Sequence, residues 1–234
     1  LAAPAALAAA LVMTIPSFGA DPELDTDEEK ILYTLGFLMS GNLVPYNFTG
    51  EELAILEEGL LDGAQRRDPA IPLEQWRAEL QKHLQVRAEA VVKEQEELGK
   101  PYREKAAAEE GARTLASGLI FRSLEPGDGA SPAATDAVTV HYKGTLIDGT
   151  VFDDSHNSPS GGPATFQLSA VVPCFREGIQ QMHVGGKAKI VCPASLAYGA
   201  RGFPPKILGG STLTFEIELI KIGGAKTGTP APTP

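Results

Sequence analysis

Residue types that ordinarily carry covalent chemistry are sparse in this chain. His83, His141, His156 and His183 are scattered, and none pairs with a cysteine or carboxylate at metal-ligand spacing. There is no GxSxG nucleophile turn, no phosphate loop ending in Lys–Ser/Thr, no HExxH and no glycine-rich dinucleotide turn. Hydrolytic, phosphoryl-transfer and redox chemistry therefore lack candidate residues, and no cofactor or metal is expected. What remains is a set of aromatic and aliphatic residues, separated in sequence but attached to recognisable turns. Such side chains offer neither a proton nor a nucleophile. They can act by binding.

The elements that must position them divide in two. With 234 residues, 43% of them apolar and 21% charged, the chain can bury a core as one large domain or two smaller ones. Disorder over the whole length and a polytopic membrane protein are both excluded. Residues 1–115 hold 21 acidic and 11 basic residues, whereas residues 116–234 hold nine of each. An acidic half joined to a neutral half points to two modules. With no basic face to neutralise phosphates, nucleic acid is not an expected partner.

Residues 1–20 carry no charge and are rich in Ala, Leu and Val, closed by Pro16 and by Ser17 and Gly19 just before Ala20–Asp21. That is the pattern of a secretory signal peptide. Export to the periplasm or beyond, with no membrane span after cleavage, is expected; the alternative is an Ala-rich helix that packs. The first cysteine is Cys174, which counts against an N-terminal lipid anchor. Cys174 and Cys192 fit either one disulfide or two buried thiols, and their spacing does not decide.

From residue 21 to 116 the pattern is helical. Asp27–Leu43 places Ile31, Leu35, Leu38 and Met39 at helical spacing behind an acidic first turn. Thr49 with Glu52 forms a capping box for a second helix running to Leu61. A third opens near Pro72 and carries Trp76, Leu80, Leu84 and Val91 among many charges. One apolar stripe on so long a helix needs a partner surface, by dimerisation or as a stalk. Pro101 predicts a kink or break at Gly99–Pro101.

From 117 to 222 the period changes to two. Val138, Val140 and Tyr142 alternate with polar residues, and Asp148–Gly149 reads as a two-residue hairpin turn with positive φ at both positions, returning through Val151–Phe152. Lys187–Cys192 is a further strand. Thr212–Ile222 puts Leu213, Phe215, Ile217 and Leu219 on one face and Glu216 and Glu218 on the other. One short helix, Phe175–Met182, interrupts the strands. The expected class is α+β: a helical N-terminal module with a long helix, then an antiparallel β-sheet wrapped on one short helix. Residues 223–234 are Gly, Thr, Ala, Lys and Pro, and are expected to be a disordered tail.

Within this second module, His141–Leu146, Asp148–Ser155, Pro163–Phe166, Val171–Pro173, Ala197–Gly199 and Thr212–Phe215 occur in the order found in FKBP-type peptidyl-prolyl isomerases, which residues 117–222 closely resemble. Residues 27–116 more loosely resemble the helical N-terminal module of the exported, dimeric, macrophage-infectivity-potentiator-like branch, through Tyr33–Gly36, the Glu-rich long helix and Thr114–Leu119. The resemblance implies a homodimeric prolyl isomerase that assists folding of exported proteins, takes proline-containing peptides and unfolded chains, and is open to macrolide inhibitors. A rival reading is a dimeric holdase that binds proline-containing segments without catalysis.

By that resemblance, Tyr142, Phe152, Phe166 and Phe215 wall a pocket, with Val171 and Val172 on one side and Phe175 as the floor beneath the substrate proline. Tyr198 is implied to donate its hydroxyl to a substrate carbonyl, and Asp153 to sit beside the twisting carbonyl or accept from a pocket tyrosine. Ala197 is implied to contribute to substrate binding, and Ile207 to close the rim. Taken singly, Phe166, Phe215 and Val172 are ordinary core residues and Asp153 an ordinary turn residue. Their joint occurrence in order carries the resemblance. Three departures stand out: Phe175 replaces the usual Trp, His156–Gly162 is longer than the common pattern, and Lys206 puts a charge at the mouth within Phe203–Gly210.

Overall fold

The computed structural model describes residues 23–157 and 161–223. The expected leader at 1–20 and the expected tail beyond Gly223 lie outside these residues. Among the described residues, no helix is long and apolar enough to cross a membrane.

Helix α1 spans Asp27–Ser40, three residues shorter than the periodicity predicts. Thr26 caps it: its hydroxyl accepts from the Glu29 amide at 3.2 Å while the Glu29 carboxylate accepts from the Thr26 amide at 2.8 Å. None of its residues is buried, and Ile31 is 68% exposed.

The remaining chain is described by itself. After a 3₁₀ turn at Val44–Tyr46, helix α2 spans Gly50–Ala64 behind the expected Thr49–Glu52 capping box. It buries none of its residues, and Ile55 is 72% exposed. A second 3₁₀ turn, Leu73–Trp76, leads into α3, Arg77–Ala107. Arg87 on α3 grips the start of α2. Its guanidinium donates to the carbonyls of Tyr46 and Asn47, each at 2.8 Å, pairs with Glu52 at 2.7 Å and lies over the Phe48 ring.

Of the kink or break expected at Gly99–Pro101, the break does not occur: α3 runs through Pro101. Proline withdraws the amide that would bond the carbonyl four residues back, that of Glu97, but both residues are exposed and water can serve that carbonyl. Packing beyond the proline then holds the helix. Ala106 joins Ile120 and Val191 in a buried cluster, and Glu109 accepts from Lys189 at 3.1 Å and pairs with Arg122 at 3.2 Å.

The sheet comprises β1 (Ala112–Thr114), β2 (Ile120–Glu125), β3 (Ala137–Thr145), β4 (Val151–Asp154), β5 (Ala164–Gln167), β6 (Lys187–Cys192) and β7 (Leu213–Ile222), with α4 at Pro173–Gln180. All pairings are antiparallel, in the order β1-β2-β6-β7-β3-β4, with β5 also on β3. β1 precedes the expected start of the module. The β3–β4 turn differs from the reading: only Gly149 has positive φ (88°), while the Asp148 carboxylate accepts from the Thr150 amide at 2.9 Å. A single left-handed glycine with a register shift beside Thr145 makes a bulged turn rather than a two-residue one.

Helix α4 begins two residues earlier than expected because Pro173, which needs no amide partner, occupies its first turn. Its buried face, Cys174, Phe175, Gly178 and Ile179, packs on the sheet face formed by Val138, Val140, Tyr142, Ile190, Phe215, Ile217 and Leu219. Of the two states open to the cysteines, the structure shows the disulfide, joining Cys174 at the start of α4 to Cys192 at the end of β6 with Cα atoms 5.8 Å apart.

Candidate active site

The residues that open α4 and the strands facing it leave a small hollow lined by Tyr142, Phe152, Asp153, Phe166, Val171, Val172, Phe175, Tyr198 and Phe215. β3 delivers Tyr142, β4 delivers Phe152 and Asp153, β5 delivers Phe166 and β7 delivers Phe215. Strand alternation aims Tyr142, Phe166 and Phe215 at one side of the sheet, and the register shift between Gly144 and Thr145 lets the consecutive Phe152 and Asp153 both face the hollow. Val171, Val172 and Phe175 come from the entry into α4, and Tyr198 from the connection between β6 and β7.

Phe175 lies at the centre. Its ring meets Phe215 at 5.3 Å, Tyr142 at 5.6 Å and Phe166 at 5.8 Å between centroids, each edge to face, and Phe152 meets Phe215 at 5.5 Å in the same way. Gly144 makes room for Phe152, since a Cβ there would stand 2.5 Å from its ring. A second feature is polar. The Tyr142 hydroxyl donates to Asp153 Oδ2 at 2.6 Å, the second of the two roles implied for Asp153. Burial first, then the hydrogen bond to Asp153 and its charge, push the Tyr142 phenol well above its ordinary value; burial and then Asp153 do the same to Tyr198. Both hydroxyls are thereby kept as neutral donors.

Two implied residues lie outside the lining. Ile207, implied to close the rim, is buried and packs in the core, and its backbone bridges to Phe203 in both directions, at 2.7 and 3.0 Å. Ala197 is buried beside Tyr198 and helps to place it. The residue that stands at the mouth, unforeseen in the sequence, is Phe203: 43% exposed, with its ring 5.4 Å from that of Tyr198. An aromatic between Gly202 and Pro204 in a turn was its only signal. Lys206, expected to put a charge at the mouth, donates to the Phe152 carbonyl at 2.8 Å. Residues 158–160 of the longer His156–Gly162 segment lie outside the described residues. His156, read as unpaired, stands 3.0 Å from the Asp154 carboxylate and stacks on His141 at 4.2 Å. Among the described residues, no group of three or more His, Cys, Asp or Glu could hold a metal ion.

A sheet packed on one short helix, with an aromatic hollow at that helix's N-terminal end and one carboxylate already engaged, is suited to binding an apolar group. Comparison with known proteins supplies the class. A family model described as FKBP-type peptidyl-prolyl cis-trans isomerase matches residues 129–220, and one described as the domain amino terminal to that isomerase matches residues 28–122. The FKBP-type 22 kDa peptidyl-prolyl cis-trans isomerase of Escherichia coli K12 is 38% identical over 214 residues, covering 90% of this chain and 100% of that one. The outer membrane protein MIP of Legionella longbeachae is 34% identical, covering 85% and 87%. The crystal structure of FkpA from Escherichia coli covers 84% of this chain and 97% of its own, at 33% identity and a TM-score of 0.62. The chain belongs to the FKBP-type peptidyl-prolyl cis-trans isomerase family.

The raised phenols give a direct check. In a spectrophotometric titration up to about pH 11, one unit above an ordinary tyrosine, Tyr142→Phe and Tyr198→Phe should each show the same rise in tyrosinate absorbance as the unsubstituted protein. A smaller rise in either variant would place that phenol in water.

Proposed function

We propose that the hollow isomerises prolyl bonds by withdrawing water from the amide carbonyl. The planar X–Pro amide is resonance-stabilised and rotates over a barrier of about 20 kcal/mol. Twisting costs it resonance and part of its dipole, so a water-poor, apolar site disfavours the planar state relative to the twisted one. Phe175 bears the proline ring, Phe152, Phe166, Phe215, Val171 and Val172 exclude water, and Tyr198 donates to a substrate carbonyl. Asp153 holds the Tyr142 ring against the floor. The observation that supports this reading most is the convergence of four strands, one helix and one connecting loop on a hollow centred on Phe175. Macrolides that fill the hollow would compete with peptide.

The setting we propose is the bacterial envelope. A disulfide fits an oxidising compartment. The substrates are proline-containing segments of unfolded exported proteins. The chain acts as a homodimer: α1 and α2 each bury no residue while exposing several large apolar ones, more than a monomer usually leaves in water. Two hollows on one dimer raise the effective concentration for a client with several prolines.

Two measurements test this. In a protease-coupled assay on a short X–Pro peptide, Tyr198→Phe should lower kcat/KM about fivefold, the worth of a hydrogen bond of about 1 kcal/mol. Asp153→Ala and Phe175→Leu should cost more than about tenfold; equal rates in all three variants would place the chemistry elsewhere. By light scattering, the mass should be twice the chain's 24.6 kDa and fall toward one chain in Leu60→Glu, whereas a monomeric parent would contradict the dimer.

A further inference from the structure

The outer side of β7 carries polar residues that are nonetheless buried. Thr214 lies on the face where Glu216 further along the strand meets water, and Ser211 and Thr212, which lead into β7, are buried with it. What covers them is α3. Ser211 donates to Gln95 at 3.4 Å, Arg103 donates to Thr212 Oγ1, and the hydroxyls of Tyr102 and Thr214 lie 3.0 Å apart. Gly99 brings the helix against the Thr212 side chain, leaving no space for a Cβ. Val92, Gln95, Gly99 and Arg103 follow one another at three- and four-residue steps, which places them on one face of the helix.

That face meets the neck of the loop that forms the mouth of the hollow. Gly210, with φ of 82°, lies against the Val92 backbone, and its amide donates to the Gly199 carbonyl at 2.9 Å, closing the neck. Beyond the neck, the Gly202 amide bonds back to Tyr198 at 3.1 Å and Phe203 bridges to Ile207, so the loop is tied to itself. Lys206 is its grip on the wall of the hollow, through the Phe152 carbonyl at 2.8 Å. Tyr198 precedes this neck by one residue, and Phe203 stands on the loop beside it.

We propose that α3 is a positioning element of the isomerase site: its Val92–Arg103 face holds the neck of the Gly199–Gly210 loop and so fixes Tyr198 and Phe203 at the mouth. The inference rests on the isomerase reading of the hollow. The floor at Phe175 and the walls at Tyr142 and Phe166 are built without this contact. Releasing the helix therefore weakens capture of the residues flanking proline while leaving the twisting step on a bound peptide largely intact. The contact is polar, and every group in it can be served by water once released, so the helical module can regulate the mouth rather than merely carry it.

The test uses the full chain with Arg103→Ala, which removes the grip, and Gly99→Leu, which wedges the helix away from Thr212. Lys100→Ala, on the exposed side, is the control. Both test variants should raise KM for an X–Pro peptide about fivefold or more, the loss of one or two hydrogen bonds, with kcat within about twofold. Both should speed amide hydrogen exchange across 199–212 and leave exchange in β3 and β5 unchanged, and Lys100→Ala should match the parent in every reading. Unchanged exchange across 199–212 in both variants would overturn the proposal, as would faster exchange with an unchanged KM. A parent without isomerase activity would instead remove the reading of the hollow, and the exchange data would still show whether α3 holds the loop.

Discussion

The structure of the site depends on keeping water away from one aromatic ring. Phe175 projects from the first turn of α4, an awkward place for a large apolar side chain because helix ends carry unpaired polar groups. Pro173 removes one of these groups and the disulfide at Cys174 ties the same turn to the end of β6. Three rings then meet Phe175 edge to face, contacts worth about 0.5–1.5 kcal/mol each beyond the area they bury. The strand pairings matter to function because they bring Tyr142, Phe166 and Phe215 to that ring. A one-residue slip of β3 on β7 would turn Tyr142 out of the hollow.

Polar groups at the site are few and mostly committed. Asp153 is engaged by Tyr142, Lys206 by the Phe152 carbonyl, and both buried phenols are held neutral. Such a site cannot supply a proton or a nucleophile at ordinary pH, and amide rotation requires neither. The floor is fixed by the core of the sheet module. The mouth is fixed by contacts that reach back to α3, so the two can respond to different influences.

Much of this was legible in the sequence. Alternation in Val138–Tyr142 and Leu213–Leu219 gave the strands and their inward faces, the Thr49–Glu52 pair gave the start of α2, and the ordered motifs held eight of the nine residues around the hollow, all but Phe175. What escaped depends on distant partners. Nothing local to Ser211, Thr212 and Thr214 signals their burial, because the helix that covers them lies 109 to 116 residues earlier. At Pro101 the local expectation of a break is overridden by exposure of Glu97 and packing at Ala106. Ile207 is buried and Phe203 exposed across a two-way backbone bridge, which spacing alone does not reveal.

The central claim, that the hollow strips water from the amide it twists, is open to direct spectroscopic measurement. An X–Pro peptide with an isotope-labelled carbonyl before proline would be bound to the full chain and its stretching frequency compared with that of the free peptide in water. A carbonyl that has lost its hydration absorbs at higher frequency, toward its value in an apolar solvent, and that upward shift is the result predicted here. A frequency equal to or below that in water would mean the carbonyl remains hydrated or strongly hydrogen-bonded, and would contradict the account.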